Sequence, residues 1–278
     1  MTRIAILQLL FLLLFASCER TVDFVPYEPQ VVVEGRIENG GKASVLLSTS
    51  VSFTEDFDKY ELLSHAIRSA KVVLSDGEQE EILRLKTNYD RLPPFEYVSQ
   101  EMKGEVGKNY SLTIYYKEQI ISAETHIPTP VQIETLSFEK KQETDSVGQI
   151  IIGFQNTSDY DYQISTRMVG VEEVFRPSLF GNIDRTQYPA DELLSIQVSK
   201  APIIYPEADY STAFPDSVAI EVKLATQTKA SFDFWTSYQN EIINSQNPIY
   251  PSTTSLKSNI NGGIGIWAGY GVEVKVLN

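Results

Sequence analysis

Cys18 is the only thiol in the chain, and it stands directly behind Phe15-Ala16-Ser17. Small side chains ahead of a cleavable bond fit the narrow subsites of a signal-processing peptidase. A sulfur at the new N-terminus is then free to be alkylated. Once alkylated, no thiol remains for a disulfide, a thiolate zinc site or a cysteine nucleophile. The histidines are His65 and His126. A Ser-His-Asp arrangement needs a histidine oriented by an acid and touching a nucleophile. Neither histidine has a recognised nucleophile context, and Gly-x-Ser-x-Gly does not occur. Both read as structural, and two histidines without cysteine do not make a zinc site. No catalytic residue, metal ligand or cofactor is assigned from the sequence.

Three other groupings carry chemical potential. Glu55-Asp56 with Asp58, Asp159 with Asp161, and Asp184 are loop carboxylates of the kind calcium takes, but EF-hand spacing is missing. A solvated face is the simpler reading. The glycines of Gly263-x-Gly265-x-x-x-Gly269 miss the dinucleotide fingerprint, and no helix pattern follows them. They read as a strand whose backbone packs closely on an aromatic helix. Phe175, Phe180, Tyr188, Tyr205, Tyr210 and Phe214 fall in two expected long loops, 175–191 and 202–215. Aromatic loops on a rigid sandwich can form a contact surface for sugars, peptides or a partner protein, or they can fold back and seal a core.

The elements that would position these residues begin with a signal. Arg3 gives a basic start, and Ile4 to Phe15 is apolar apart from Gln8. That run is about a dozen residues, where a spanning helix needs roughly 20. Residues 1–17 are therefore a processed signal peptide. The Ala-Ser-Cys ending resembles the lipobox of bacterial lipoproteins, in which the cysteine carries diacylglycerol and further acyl chains such as palmitate. Phe15 stands where leucine is commoner. Residues 18–29 form a tether, extended by Pro26 and Pro29. The net charge of -14 repels phosphate backbones and anionic headgroups, which argues against nucleic acid and leaves the lipid as the membrane link.

From Val31 the pattern is β. Short alternating runs recur at 31–37, 43–47, 70–74, 82–85, 95–98, 107–116 and 120–125, with turn signals at Asn39-Gly40-Gly41 and Asp76-Gly77. Their spacing predicts an immunoglobulin-like β-sandwich over 30–128. Gly107-x-x-Tyr110-x-Leu112-x-Ile114 resembles the start of a late strand in such domains, where a tyrosine hydroxyl pins a corner. His126-Ile127-Pro128-Thr129-Pro130 marks a boundary. A second β-rich domain over 131–278 has strands at 131–138, 150–154, 162–168, 194–198, 218–224 and 272–276. One helix is expected over 231–244, capped by Ser231, with Phe232, Trp235, Tyr238 and Ile242 on its buried face.

Four pieces in this order resemble a family of Bacteroidota lipoproteins, the domain of unknown function 4249 family. They are the lipobox with Val31-Val32-Val33-Glu34-Gly35, the Ala123 to Val131 junction, the Phe232 to Tyr238 helix, and Ser258 to Gly265. The resemblance implies a lipid-anchored outer-membrane protein, often encoded near TonB-dependent transporters, and no known reaction. The expectation is a binding or accessory component of TonB-dependent uptake, contacting a transporter barrel or its substrate. An envelope hydrolase, or a surface sugar- or peptide-binding protein, is the alternative. Only Glu19 and Asp23 are acidic in 18–23, so periplasmic and surface exposure both stay open.

Overall fold

The computed structural model describes residues 27–51, 63–89, 93–140, 142–157, 159–200, 211–245 and 256–278. Cys18, the acidic stretch 54–62, Tyr205 and Tyr210 lie outside the described residues, as does the side chain of Ile242. The chain is mainly β.

Strands β1 (Val31–Glu38) and β2 (Lys42–Thr49) form a hairpin through Gly40, whose φ of 73° suits glycine. Side chains alternate across a strand, so Val31, Val33 and Ile37 are buried on one face while Glu34, Arg36 and Glu38 lie on the other. There follow β3 (Lys71–Ser75), β4 (Glu80–Ile82), β5 (Arg84–Thr87), β6 (Phe95–Lys103), β7 (Asn109–Tyr116) and β8 (Gln119–His126). The run expected as one strand at 82–85 is two, in different sheets. Buried Leu83 is the crossing point, with β4 paired to β3 and β5 to β6. Tyr110 does pin a corner: its hydroxyl donates to the Lys103 carbonyl at 3.1 Å and accepts from the Glu105 N–H at 2.9 Å.

The second half supplies β9 (Ile133–Glu139), β10 (Val147–Gln155), β11 (Asp161–Met168), β12 (Arg176–Ile183), β13 (Leu193–Val198), β14 (Phe214–Pro215) and β15 (Ile220–Gln227). Helix α1 (Lys229–Ser245) and the long strand β16 (Ile264–Leu277) complete it. The stretch 175–191 is not a loop. It contains β12, paired with β11, and a short 3-10 turn at Arg185–Gln187. Pro177 and Gly181 hid this strand. An edge strand tolerates both, and the register shifts between Gln163 and Ser165 to absorb the irregularity.

An eight-stranded sheet runs β12-β11-β15-β16-β1-β2-β6-β5. Two smaller sheets, β4-β3-β7-β8 and β13-β10-β14 with β9 on β10, pack against the same face of it. The first packing buries Val33, Val45, Leu112, Ile121 and Trp267, and the second buries Ile152, Phe154, Tyr162 and Leu224. β16 belongs to both ends. Its first half pairs parallel with β1 and its second half antiparallel with β15.

The helix forms near where its pattern places it, but its cap and buried face differ from expectation. Thr228 precedes the first turn and accepts the Ser231 N–H at 3.4 Å, so Ser231 is not the cap. Ser231, Phe234 and Ser237 are buried, whereas Tyr238 is 40% exposed and Trp235 lies at the rim. Helix α1 packs by Phe234 on Ala225, Ile266, Ala268 and Tyr270, where small sheet residues allow close approach.

The glycines of β16 do not meet the helix either. A Cβ at Gly265 would lie 1.9 Å from the Val33 carbonyl oxygen, at Gly269 2.3 Å from that of His126, and at Gly271 2.2 Å from that of Pro128. They face the opposite side, where the 126–130 segment crosses. Alternation puts Ile266, Ala268 and Tyr270 on the helix side and Gly265, Trp267, Gly269 and Gly271 on the other.

Candidate binding cleft

Beside helix α1, on the face of the large sheet that carries no second sheet, lies a cleft of about 120 Å³. Strands β1, β16, β15 and β11 form its floor. Ala225 and Ile266 line it as apolar floor residues, and Trp235 and Phe175 stand as walls. Two larger depressions, of about 510 and 490 Å³, are open surface grooves by comparison.

The helix wall is held by a buried polar network. The Gln227 side-chain amide donates to the Tyr162 carbonyl at 3.1 Å and to Asn182 Oδ1 at 2.5 Å. Its carbonyl oxygen accepts from Ser231 Oγ at 2.9 Å. Trp235 Nε1 donates to the Tyr270 hydroxyl at 2.8 Å, and that hydroxyl lies 3.1 Å from Ser231 Oγ. With Ser231 donating to Gln227, the Tyr270 proton is left for Ser231, and every donor finds an acceptor. Asn182 closes the circuit to the helix through Thr236 Oγ1 at 2.7 Å and the Phe232 carbonyl at 3.1 Å. Burial pushes the Tyr270 hydroxyl above its usual pKa, so it stays protonated.

The charged residues divide into paired and unpaired. Lys223 Nζ lies 2.6 Å from Glu38 Oε1 and 4.5 Å from the Phe175 ring centre. Burial holds the Lys223 ammonium below its usual pKa, and Glu38 opposes that shift. Arg167 Nε donates to Glu221 at 2.7 Å, with its guanidinium 4.8 Å from the same Phe175 ring. One aromatic ring therefore faces two cations, each already matched to a carboxylate. Arg36 is different. It lines the cleft from β1, and its side chain makes no hydrogen bond or ion pair among the described residues. Gln163 and Ser165, on β11, also line it; they are 8% and 5% exposed, and their side chains have no hydrogen bond to the described protein. The arrangement offers a cation and a carboxylate without ion pairs, Arg36 and Glu34, and neutral hydrogen-bonding groups between aromatic walls, which is chemistry for binding.

Of the aromatic residues expected to form a contact surface, the four that are described are dispersed. Phe175 is in the cleft. Phe180, 71% exposed with φ 58°, sits on edge strand β12. Tyr188 follows the 3-10 turn, and its carbonyl accepts from the Asn156 side chain at 3.2 Å. Phe214 is buried in the second core. His65 Nδ1 lies 2.9 Å from Thr49 Oγ1. His126 Nδ1 lies 3.0 Å from Asn109 Oδ1, and its ring stacks on Tyr160. Asp161 is buried rather than solvated; burial raises its pKa, and it accepts the Arg185 N–H at 3.2 Å. Among the described residues no three His, Cys, Asp or Glu side chains gather as a metal site.

The sequence reading passed over Arg36, Gln163, Ser165 and Lys223. Each occupies an outward position of an alternating strand, which reads as solvent-facing until a helix is laid across it.

A profile described as a domain of unknown function, DUF4249, matches residues 19–275. The chain belongs to the DUF4249 family. The match takes in the helix, the cleft and the strands of the large sheet up to residue 275 in β16, so the family unit spans both halves of the fold. No curated protein matches the chain.

Proposed function

We propose that this DUF4249 protein is a lipid-anchored outer-membrane lipoprotein that serves TonB-dependent uptake as a non-catalytic binding component. The observation that carries the anchor is Phe15-Ala16-Ser17-Cys18 behind a short apolar run. Lipid on Cys18 and a proline-bearing tether would hold the body just off the bilayer, and several acyl chains make such an anchor stable. A cleft with unpaired binding groups supports the binding role. The first packing unit we read as an immunoglobulin-like sandwich. In support, the order β1-β2-β6-β5 against β4-β3-β7-β8, the crossing at Leu83 and the Tyr110 corner match that architecture. The loops of the sandwich, and Phe180 on the edge strand β12 at the other end of the large sheet, would be available to a transporter barrel.

Palmitate-analogue labelling of cells carrying the tagged chain tests the anchor. Wild type should be labelled and membrane-bound, and Cys18→Ala unlabelled and released. Labelling that survives the substitution would refute it. Crosslinking followed by gentle extraction tests the partner. A TonB-dependent barrel should copurify in near-equal amount, and its consistent absence would remove the uptake role.

A further inference from the structure

Arg36 is a cleft-lining cation whose side chain has no ion pair among the described residues. The chain carries 37 acidic residues against 23 basic ones, so a carboxylate partner is easily supplied. The neighbouring cations have theirs, Lys223 in Glu38 and Arg167 in Glu221. The planar guanidinium fork of an arginine fits a carboxylate with two parallel hydrogen bonds. Arg36 is left facing the cleft without one. Gln163 and Ser165 line the far side. Each is more than nine-tenths buried, yet makes no side-chain hydrogen bond to the described protein. Their polar atoms are reached by solvent at the cleft, where water or a ligand pairs them.

We propose that the cleft binds a small monocarboxylate bearing a second polar group. Arg36 holds the carboxylate, and Gln163 and Ser165 take the hydroxyl or amide at the other end. Ala225 and Ile266 provide an apolar floor for the carbons between, under Phe175 and Trp235. The size is appropriate. A cavity of about 150 Å³ holds a benzene molecule, and this one is about 120 Å³. The charge is specific too. With Lys223 matched to Glu38, and with the carboxylate of the exposed Glu34 also at the cleft, Arg36 is the one lining cation open to a single carboxylate, and a second negative charge on the ligand would find no cation to meet it. The inference depends on neither the lipid anchor nor the transporter.

The test is saturation-transfer NMR and calorimetry on the full chain in detergent, with 4-hydroxybutanoate, butanoate and inorganic phosphate as probes. The hydroxy acid should bind saturably and more tightly than butanoate, and phosphate should bind more weakly than either. Arg36→Gln should weaken hydroxy-acid binding roughly tenfold or more, because a charge-assisted bidentate pair is lost. Arg36→Lys should recover part of it, and Gln163→Ala should erase the preference for the hydroxyl. Unchanged thermal unfolding of the half-exposed Arg36 variants checks the fold. No saturable binding of either carboxylate, phosphate binding tighter than both, or indifference to Arg36→Gln would each overturn the proposal.

Discussion

Glu81 shows how much one side chain settles in this fold. It lies on β4, in a small sheet, but its carboxylate reaches β6 in the large one. There it accepts from the N–H groups of Gln100, Glu101 and, at 2.7 Å, Met102. Beside these donors, β2 and β6 lose register between Lys42 and Ser44, so the ladder cannot use them all. Burial pushes the Glu81 carboxyl up, but the three N–H donors together hold it below the usual value of 4.5. A carboxyl with a lowered folded pKa adds stability above the unfolded value, and the gain is lost as pH falls through the folded one. Glu81→Gln should therefore cost about 1 kcal/mol at neutral pH. Urea unfolding at pH 7 and again near pH 3 should show the gap between wild type and variant closing in acid. A gap that persisted in acid would mean the charge plays no part.

At the scale of elements, β16 and the segment crossing it are made for each other. Trp267 fills the first core with no exposed surface, and its Nε1 donates to the Tyr110 carbonyl at 3.0 Å. Asn259 imitates a neighbouring strand: its side chain accepts the Trp267 N–H at 2.9 Å and donates to the Trp267 carbonyl at 2.8 Å. Asn39 accepts the Val272 N–H at 2.5 Å in the same way. Between these clamps, Gly269 and Gly271 leave room for the carbonyls of His126 and Pro128, and Thr226 Oγ1 donates to the Thr129 carbonyl at 2.9 Å. Gly269→Ala places a methyl against backbone that cannot step aside and should cost about 2 kcal/mol or more. Gly170→Ala meets no atom within 4 Å and bears only the strain of a φ of 76°, so its cost should be about 1 kcal/mol. Denaturant midpoints of the two variants decide the point, and equal losses would show that β16 has slack.

For the whole molecule, the two hydrophobic packings have one strand in common. β16 is hydrogen-bonded to β1 at one end and β15 at the other, and the 128–130 junction lies over its glycines. Neither packing is complete without it. Heat should therefore unfold the described fold in one cooperative transition, with calorimetric and van't Hoff enthalpies in agreement. Two resolved transitions would show that the halves are independent and that β16 can leave one of them.

Alternation, turn glycines and spacing were enough to read most strands, the helix, the Gly40 and Gly77 turns and the Tyr110 corner, because each rests on contacts a few residues apart. The ending at Cys18 was legible for a related reason: processing signals are read as sequence. What only the tertiary structure decided depends on which faces meet. β12 was hidden by Pro177 and Gly181, which an edge strand accepts. The direction of the β16 glycines follows from carbonyls more than a hundred residues away, and the buried side of α1 from which faces of β15 and β16 the second and first cores leave uncovered. The cleft belongs to this second kind. Arg36 and Gln163 are ordinary outward residues of separate strands until β16 and β15 bring β1 and β11 into one sheet and the helix closes over them.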